Sequence, residues 1–544
     1  MKRTRRSNRN NRRMNRRSFL KTSGLSLAAL SALGIPARRA MAATASPNAA
    51  NRLLFVFTAT GGGSMVDSFM AVRESEPSSQ SVADQLLVYP DAFVKSFPGT
   101  DIRALDTDPN YRNFLGATGI PYAQSTFVGK YHQNMAVMAL ENTSVNHFVA
   151  QERSLNGQGI NGGRTIAEHI AEVYGQDLAL PLVNMAGGGF VSGGTDPTLP
   201  AYARAENIGA PSFFSLGTDG MRGMVGAPGS TQPGTPPSAG AELERGKKLM
   251  ARAREIRNQL DDASTFYQTF QCSPLLSDYR VQRELKAMEL EELDLFSKLF
   301  MFGSGDLAVD FDAYGLLENP EAIAAREIIT AWPGDPNRKM DILVDQQVGQ
   351  VLLAYLMAKE GLTAASVFGP NLSTQIGVID QQPPLVFDYS HNNHVAAQAT
   401  MWSRILDLVD KLIQLLQSTG TVGGGTLWDR SLIYIATDFG RDKVRTTPGA
   451  PLYTVDPDGD GPLQAGVVNT GHHLNNGCVV ISPLVKPGLY GGVNPDTLHT
   501  YGFNRETGMA TDTETIRIGD IYSVIADALD APFTGMIPIP ALMP

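Results

Sequence analysis

Cysteine is nearly absent: the 544 residues contain two, Cys272 and Cys478. Neither lies in a Cys-x-x-Cys, which argues against a zinc-thiolate site or a dithiol redox motif. The two could pair in an oxidising compartment, and their spacing does not decide it. Long apolar runs are missing as well. No uninterrupted apolar stretch of about 18 residues occurs, so no ordinary membrane-spanning helix is expected in the mature chain. There is no G-x-S-x-G elbow, no Walker loop and no H-E-x-x-H, which disfavours serine hydrolase, P-loop enzyme and zincin. Gly61-Gly62-Gly63 lacks the third spaced glycine of a dinucleotide loop. Acid is absent from residues 1–42, which hold twelve Lys and Arg. The rest of the chain carries 33 bases against 54 acids, a net of −21. So acidic a chain argues against a nucleic-acid partner.

What remains is an ordinary globular composition, 42% hydrophobic and 18% charged. It is too apolar for disorder and long enough to bury a large core. The basic start has an ordered grammar. Asn15-Arg16-Arg17-Ser18-Phe19-Leu20-Lys21 reads as a twin-arginine signal, Leu25–Ile35 as its apolar stretch, and Ala40-Met41-Ala42 as a small-x-small cleavage site. Residues 1–42 are therefore expected to be a signal peptide, read by the twin-arginine export machinery and directing a periplasmic or secreted protein.

Short apolar runs then alternate with helical patterns. Leu53–Phe57, Ala136–Leu140, Ser431–Ala436 and Cys478–Ile481 read as buried strands. Trp402, Ile405, Leu406, Val409, Leu412, Ile413 and Leu416 follow the 3.6-residue period, and Gly420 stops it. Continuous apolar strands separated by helices predict an α/β fold with a parallel or mixed sheet covered on both faces. Residues 226–240 are rich in Gly, Pro, Ser and Thr, and the chain then turns charged and helical, as in Glu284–Lys298. The expected organisation is an α/β core formed by 43–225 and 311–544, with a linker and helical insertion at 226–310.

The chemistry concentrates at strand ends. Only eight histidines occur, and four fall in two tight groups. Asp388, His391 and His394 lie just before the clear helix, and carboxylate and imidazole a few residues apart suit Zn²⁺ and similar ions. Asp438 follows a buried strand, at the edge where α/β sheets collect ligands. His472 and His473 precede the last apolar strand. The first strand ends in a glycine-rich loop that reaches Asp67. Each piece also has a plain structural reading, as a cap, a turn or a solvated histidine. Asp456, Asp458 and Asp460 open a D-x-D-x-D-G calcium-type loop, but its twelfth position is Val467, not Glu.

Taken in order, Arg16–Lys21, Leu53–Asp67, Asn146–Gln151, Phe387–His394, Thr437–Arg441 and Gly471–Gly477 resemble the twin-arginine-exported proteins grouped as domain of unknown function family 1501, of the alkaline phosphatase and sulfatase superfamily. The resemblance implies an alkaline-phosphatase-like mixed or parallel sheet flanked by helices, with metal ligands on strand-end loops. It implies Asp67 at one metal, and Asp388 with His391 or His394, Asp438, and His472 or His473 at the other. Where the superfamily strand commonly ends in Asp-His, this chain has Asp438-Phe439. Where relatives often read Ser-His-Phe, it has Asn146-His147-Phe148, and the nearby hydroxyls of Thr143 and Ser144 are the alternative nucleophiles. Arg441 could pair with an anionic ester. The implied function is an exported hydrolase dependent on a divalent metal (Zn, Mn, Fe or Ca), acting on a small phosphate or sulfate ester. The alternative is a non-catalytic periplasmic or surface protein that keeps the fold and a structural metal.

Overall fold

The computed structural model describes residues 52–106, 120–207, 239–274, 276, 280, 320–340, 345–369, 387–391, 393–445, 447–448 and 468–544. Residues 1–42, where a signal peptide is expected, the expected linker at 226–238, the Glu284–Lys298 run and the Asp456–Asp460 segment lie outside them.

The central sheet is built from β1 (Leu53–Ala59), β2 (Met135–Glu141), β3 (Leu182–Asn184), β4 (Glu206–Asn207), β5 (Ala365–Phe368), β6 (Ser431–Thr437), β7 (Asn475–Ile481) and β8 (Gly488–Tyr490). Their spatial order is β8-β2-β7-β6-β1-β5-β3-β4. Neighbours run parallel except around β7, which is antiparallel to both β6 and β2. The protein is thus mixed α/β, with a mostly parallel central sheet flanked by helices.

The two-residue period of a strand divides the core between the sheet's faces. On β1, Leu53, Phe55 and Phe57 enter one cluster with Trp402, Ile405 and Val409. Leu54 and Val56 enter the other with Ile166, Ile170, Ile521 and Ile525. Each such fully buried side chain contributes about 2 kcal/mol of transfer free energy. The first face is covered by α1 (Gln124–Tyr131), α5 (Gln346–Lys359) and α6 (His394–Ser418), and the second by α2 (His147–Asn156), α3 (Ile166–Tyr174) and α7 (Ile518–Ala528). A further helix, α4 (Ala239–Ala263), begins at the end of the Gly- and Pro-rich stretch in sequence.

Helix α6 starts two turns before its apolar period becomes clear. Asn393 caps it by accepting from Ala396 N at 3.2 Å, and polar Gln398 and Thr400 are buried in its first turns. Among the described residues no helix is long and apolar enough to cross a membrane. Cys272 is exposed and Cys478 buried, and both are free thiols.

Candidate functional site

Strand direction explains why distant residues meet. β1, β2, β5 and β6 all run the same way, so the loops that follow them open at one edge of the sheet. β7 runs against them, so the segment preceding it, His472–His473, opens there too. The site is assembled from Gly61–Gly62 after β1, His147 at the start of α2, Asp388–His391 before α6, Asp438–Arg441 after β6, and His472.

Asp438 is buried and takes donors on both oxygens. Gly62 N donates to Oδ1 at 2.5 Å; Gly61 N at 3.1 Å, Gln151 Nε2 at 3.2 Å and His147 Nδ1 at 2.8 Å meet Oδ2. This carboxylate is therefore occupied with orienting its neighbours. Since an ionised carboxylate only accepts, His147 carries its proton on Nδ1. His147 Nε2 then faces Asp388 Oδ1 at 3.3 Å. His472 is arranged alike: Nδ1 donates to the Val145 carbonyl at 2.9 Å, and Nε2 lies 3.7 Å from the same Asp388 oxygen. His391 Nε2 is 3.3 Å from Asp388 Oδ1 and 2.9 Å from His472 Nε2, and it accepts from Arg441 Nη1 at 3.3 Å. Two neutral imidazoles with bare nitrogens this close repel unless a proton or a cation stands between them.

Arg441 is fully buried beneath this group. Its Nη2 donates to Asp388 Oδ1 at 2.9 Å, to the Phe387 carbonyl at 3.2 Å and to the Gly61 carbonyl, and its Nη1 also reaches the Thr470 carbonyl at 3.4 Å. Gly61 and Gly62 adopt φ of +94° and +84°, and a Cβ on Gly61 would fall 2.3 Å from Asp388 N. The glycines are thus needed for the turn and for the close approach of Asp388. Phe439 is buried, stacks on His472 with ring centroids 4.0 Å apart, and lies 4.6 Å from the His147 ring.

The electrostatics follow from these contacts. Burial opposes charge on His147, but Asp388 and Asp438 on its two nitrogens outweigh it and push its pKa up to about 9. Burial alone would raise Asp388; His147 and Arg441 hold it well below the usual carboxylate range. His391 and His472 are pushed down, by burial and then by Arg441.

The other sequence candidates fall elsewhere. Asp67 and His394 meet each other in a separate buried cluster, with His394 Nε2 3.3 Å from Asp67 Oδ2. His473 turns toward His499, ring centroids 5.3 Å apart, and its Nδ1 accepts from Asn475 N. Thr143 receives Arg153 Nη1 on both its carbonyl and its hydroxyl, and Ser144 Oγ accepts from Asn146 N at 3.1 Å. Both act as turn groups here. Asn146 caps α2. Asp456, Asp458 and Asp460 lie outside the described residues.

His147 is the residue that sequence reasoning passed over as a ligand. Its signal was positional: the first helical residue after an Asn cap, just beyond β2. Together His147, Asp388 and His472 can offer three ligand atoms within 4.8 Å of one another. Each histidine presents Nε2 while an outer oxygen fixes its Nδ1, the arrangement that metal-binding histidines usually show. The donor set suits one borderline divalent ion, with His391 adjacent as a third nitrogen. Neither a protein-family model nor a curated protein sequence matches this chain.

Proposed function

We propose that the protein binds one divalent cation at His147, Asp388 and His472, with His391 beside them, and that it is an exported hydrolase of a small phosphate or sulfate ester built on an alkaline-phosphatase-like core. The observation that carries the metal reading is the pair of oriented histidines. Asp438 fixes His147 and the Val145 carbonyl fixes His472, so both aim Nε2 at one Asp388 oxygen. A bound divalent ion supplies Lewis acidity, polarising an ester oxygen and lowering the pKa of nearby water.

The chain's own groups define the rest. Arg441 anchors Asp388 and leaves a positive guanidinium beneath the place where an ester's anionic oxygens would sit. Phe439 closes one wall with an apolar ring. Since the Thr143 hydroxyl is engaged by Arg153 and the Ser144 hydroxyl by Asn146 N, water is the nucleophile in this reading.

A second reading, a non-catalytic metal-binding protein, is favoured by one feature: Arg441 is already engaged by four protein oxygens. One experiment addresses both. The metal content of the purified protein is compared with that of His147→Ala and His472→Ala, followed by a screen of phosphate and sulfate esters. About one equivalent of metal, lost in both variants, is expected. Metal-dependent turnover supports the hydrolase, and stoichiometric metal without turnover supports the binding protein. A folded wild-type protein unable to take up metal overturns both.

A further inference from the structure

Asp67 and His394 stand apart from the cluster, yet a single side chain separates them from it. Tyr89 donates to Asp67 Oδ1 at 2.8 Å, and Asp67 Oδ2 faces His394 Nε2 at 3.3 Å. Neither of these two facing atoms has a hydrogen-bond partner elsewhere among the described residues. On the other side of the ring, His394 Nδ1 is 2.9 Å from the Thr470 hydroxyl. Tyr89, Asp67, His394 and Thr470 are all buried. Burial would raise the Asp67 carboxyl, and His394 holds it well below the ordinary carboxylate range. An ionised carboxylate only accepts, so the ring carries its proton on Nε2 and accepts from the Thr470 hydroxyl on Nδ1. One imidazole thus joins a carboxylate to a hydroxyl in line.

Thr470 sits where two ligand-bearing segments meet. It precedes His472 by two residues. Its backbone N donates to the Ser390 carbonyl at 3.0 Å, and its hydroxyl is 3.3 Å from the same oxygen. Ser390 belongs to the turn Phe387–His391, which carries Asp388 and His391. His394 N closes the junction by donating to the Val468 carbonyl at 3.0 Å, and the Thr470 carbonyl receives Arg441 Nη1 at 3.4 Å. The Val145 carbonyl aims the His472 ring. How near that ring stands to Asp388 depends on the spacing of the two segments, and Thr470 is where they touch.

We infer that Asp67, His394 and Thr470 form a buried positioning relay that sets the spacing between His472 and Asp388. In this role Asp67 and His394 support ligands and are not ligands themselves. The consequence for metal affinity rests on the single-cation reading proposed above; the consequence for the placement of His472 does not.

The test uses Co²⁺, titrated against a competing chelator into metal-free wild type, Thr470→Val, Thr470→Ser, Asp67→Asn and the Asp67→Asn/Thr470→Val double variant, with visible spectra recorded at saturation. The ring ¹⁵N shifts of His472, assigned with His472→Gln, are read in the same metal-free proteins. Thr470→Val is expected to weaken Co²⁺ binding roughly 10- to 100-fold, to shift the visible bands and to move the His472 ring signals, and Thr470→Ser to restore most of all three. Asp67→Asn should act in the same direction, and adding it to Thr470→Val should change little more, because residues of one relay are not additive. A packing role alone would lower the melting temperature of the metal-free variants and leave affinity, spectrum and His472 signals of the folded protein as in wild type. That result, or additive losses in the double variant, overturns the inference. So does loss of a whole equivalent of Co²⁺ from Asp67→Asn, which would make Asp67 a ligand. Wild type that takes up no Co²⁺ rejects the metal reading, and the His472 signals then decide the relay: moved in Thr470→Val and restored in Thr470→Ser, it stands; unmoved, it falls. Should Thr470→Val fail to fold, Asp67→Asn decides in the same way, by whether the His472 signals move.

Discussion

Asp410, midway along α6, and Asp388, just before that helix begins, both gather nitrogen and oxygen groups around a carboxylate. Asp410 is met by the hydroxyls of Tyr122 at 2.7 Å and Tyr131 at 2.6 Å, by Lys130 Nζ at 2.6 Å and by Gln414 Nε2 at 2.8 Å. Both tyrosines keep their protons across the physiological range, pushed up by burial and then by Asp410 itself. Asp388 has one such donor, Arg441, and three imidazole nitrogens that can hold a proton or a lone pair. A carboxylate ringed by obligatory donors is finished as a structural element. One ringed by ambivalent nitrogens, each steadied from behind, retains capacity for something else. Buried charge does not by itself separate a site from a scaffold in this protein; spare bonding capacity does.

The contrast can be broken most directly at Asp410. Asp410→Ala strands two buried tyrosines and a lysine, and should destabilise the fold by about 3–5 kcal/mol in urea unfolding. Asp388→Ala should lose less, since its carboxylate is one-third exposed and the buried Arg441, though deprived of that carboxylate, keeps three carbonyl acceptors. The reverse ranking would erase the distinction. Next comes the steadying partner. Asp438→Asn removes the carboxylate behind His147, and metal affinity measured against a competing chelator should fall roughly 10- to 100-fold. An unchanged affinity would mean that His147 needs no such partner.

The smallest effect sharpens the comparison through pH. In metal-free protein, the His147 pKa is raised from 6.5 to about 9. Its contribution to stability is therefore fully present below pH 6.5 and is lost as pH rises through about 9, on the order of 1–2 kcal/mol after allowance for partial exposure. Urea titrations across that window should show the loss in wild type and not in His147→Gln. The Asp410 network should contribute no slope there, because its carboxyl is held low by Lys130 and the tyrosines despite burial.

The sheet was legible because its strands are apolar on both faces, so Leu53–Phe57 and Ser431–Ala436 announce themselves by hydrophobicity alone. The start of α6 was not, since Gln398 and Thr400 are buried polar residues that break the pattern, and their burial depends on partners such as Gly62 and Ser390. Strand-end position marked Asp438 correctly as belonging to this edge. Its work on Gly61, Gly62 and His147 could not be read locally, because those partners lie 377, 376 and 291 residues away. The same holds for Arg441, which sequence suggests as a free partner for an anion and which folding engages with protein oxygens. Nor does spacing tell His472 from His473: the short β-bridge pairing them with Arg441 and Gly440 turns one toward the cluster and the other toward His499.

The reversed strand β7 also bears on how the molecule is made. Its pairing brings Asn476 to within 2.8 Å of Met65 N, closing a loop of 411 residues, and Arg441 closes another of 380 onto Gly61. Contacts of such separation form late, since chain entropy must be surrendered before they stabilise anything. A nascent or truncated chain ending before His472 would contain Asp388, Asp438 and His147 yet lack that histidine, the strand that seats it, and the ring against which Phe439 stacks. Capture of an ion by the assembled cluster would then report that synthesis has passed β7 and that this edge of the sheet has closed.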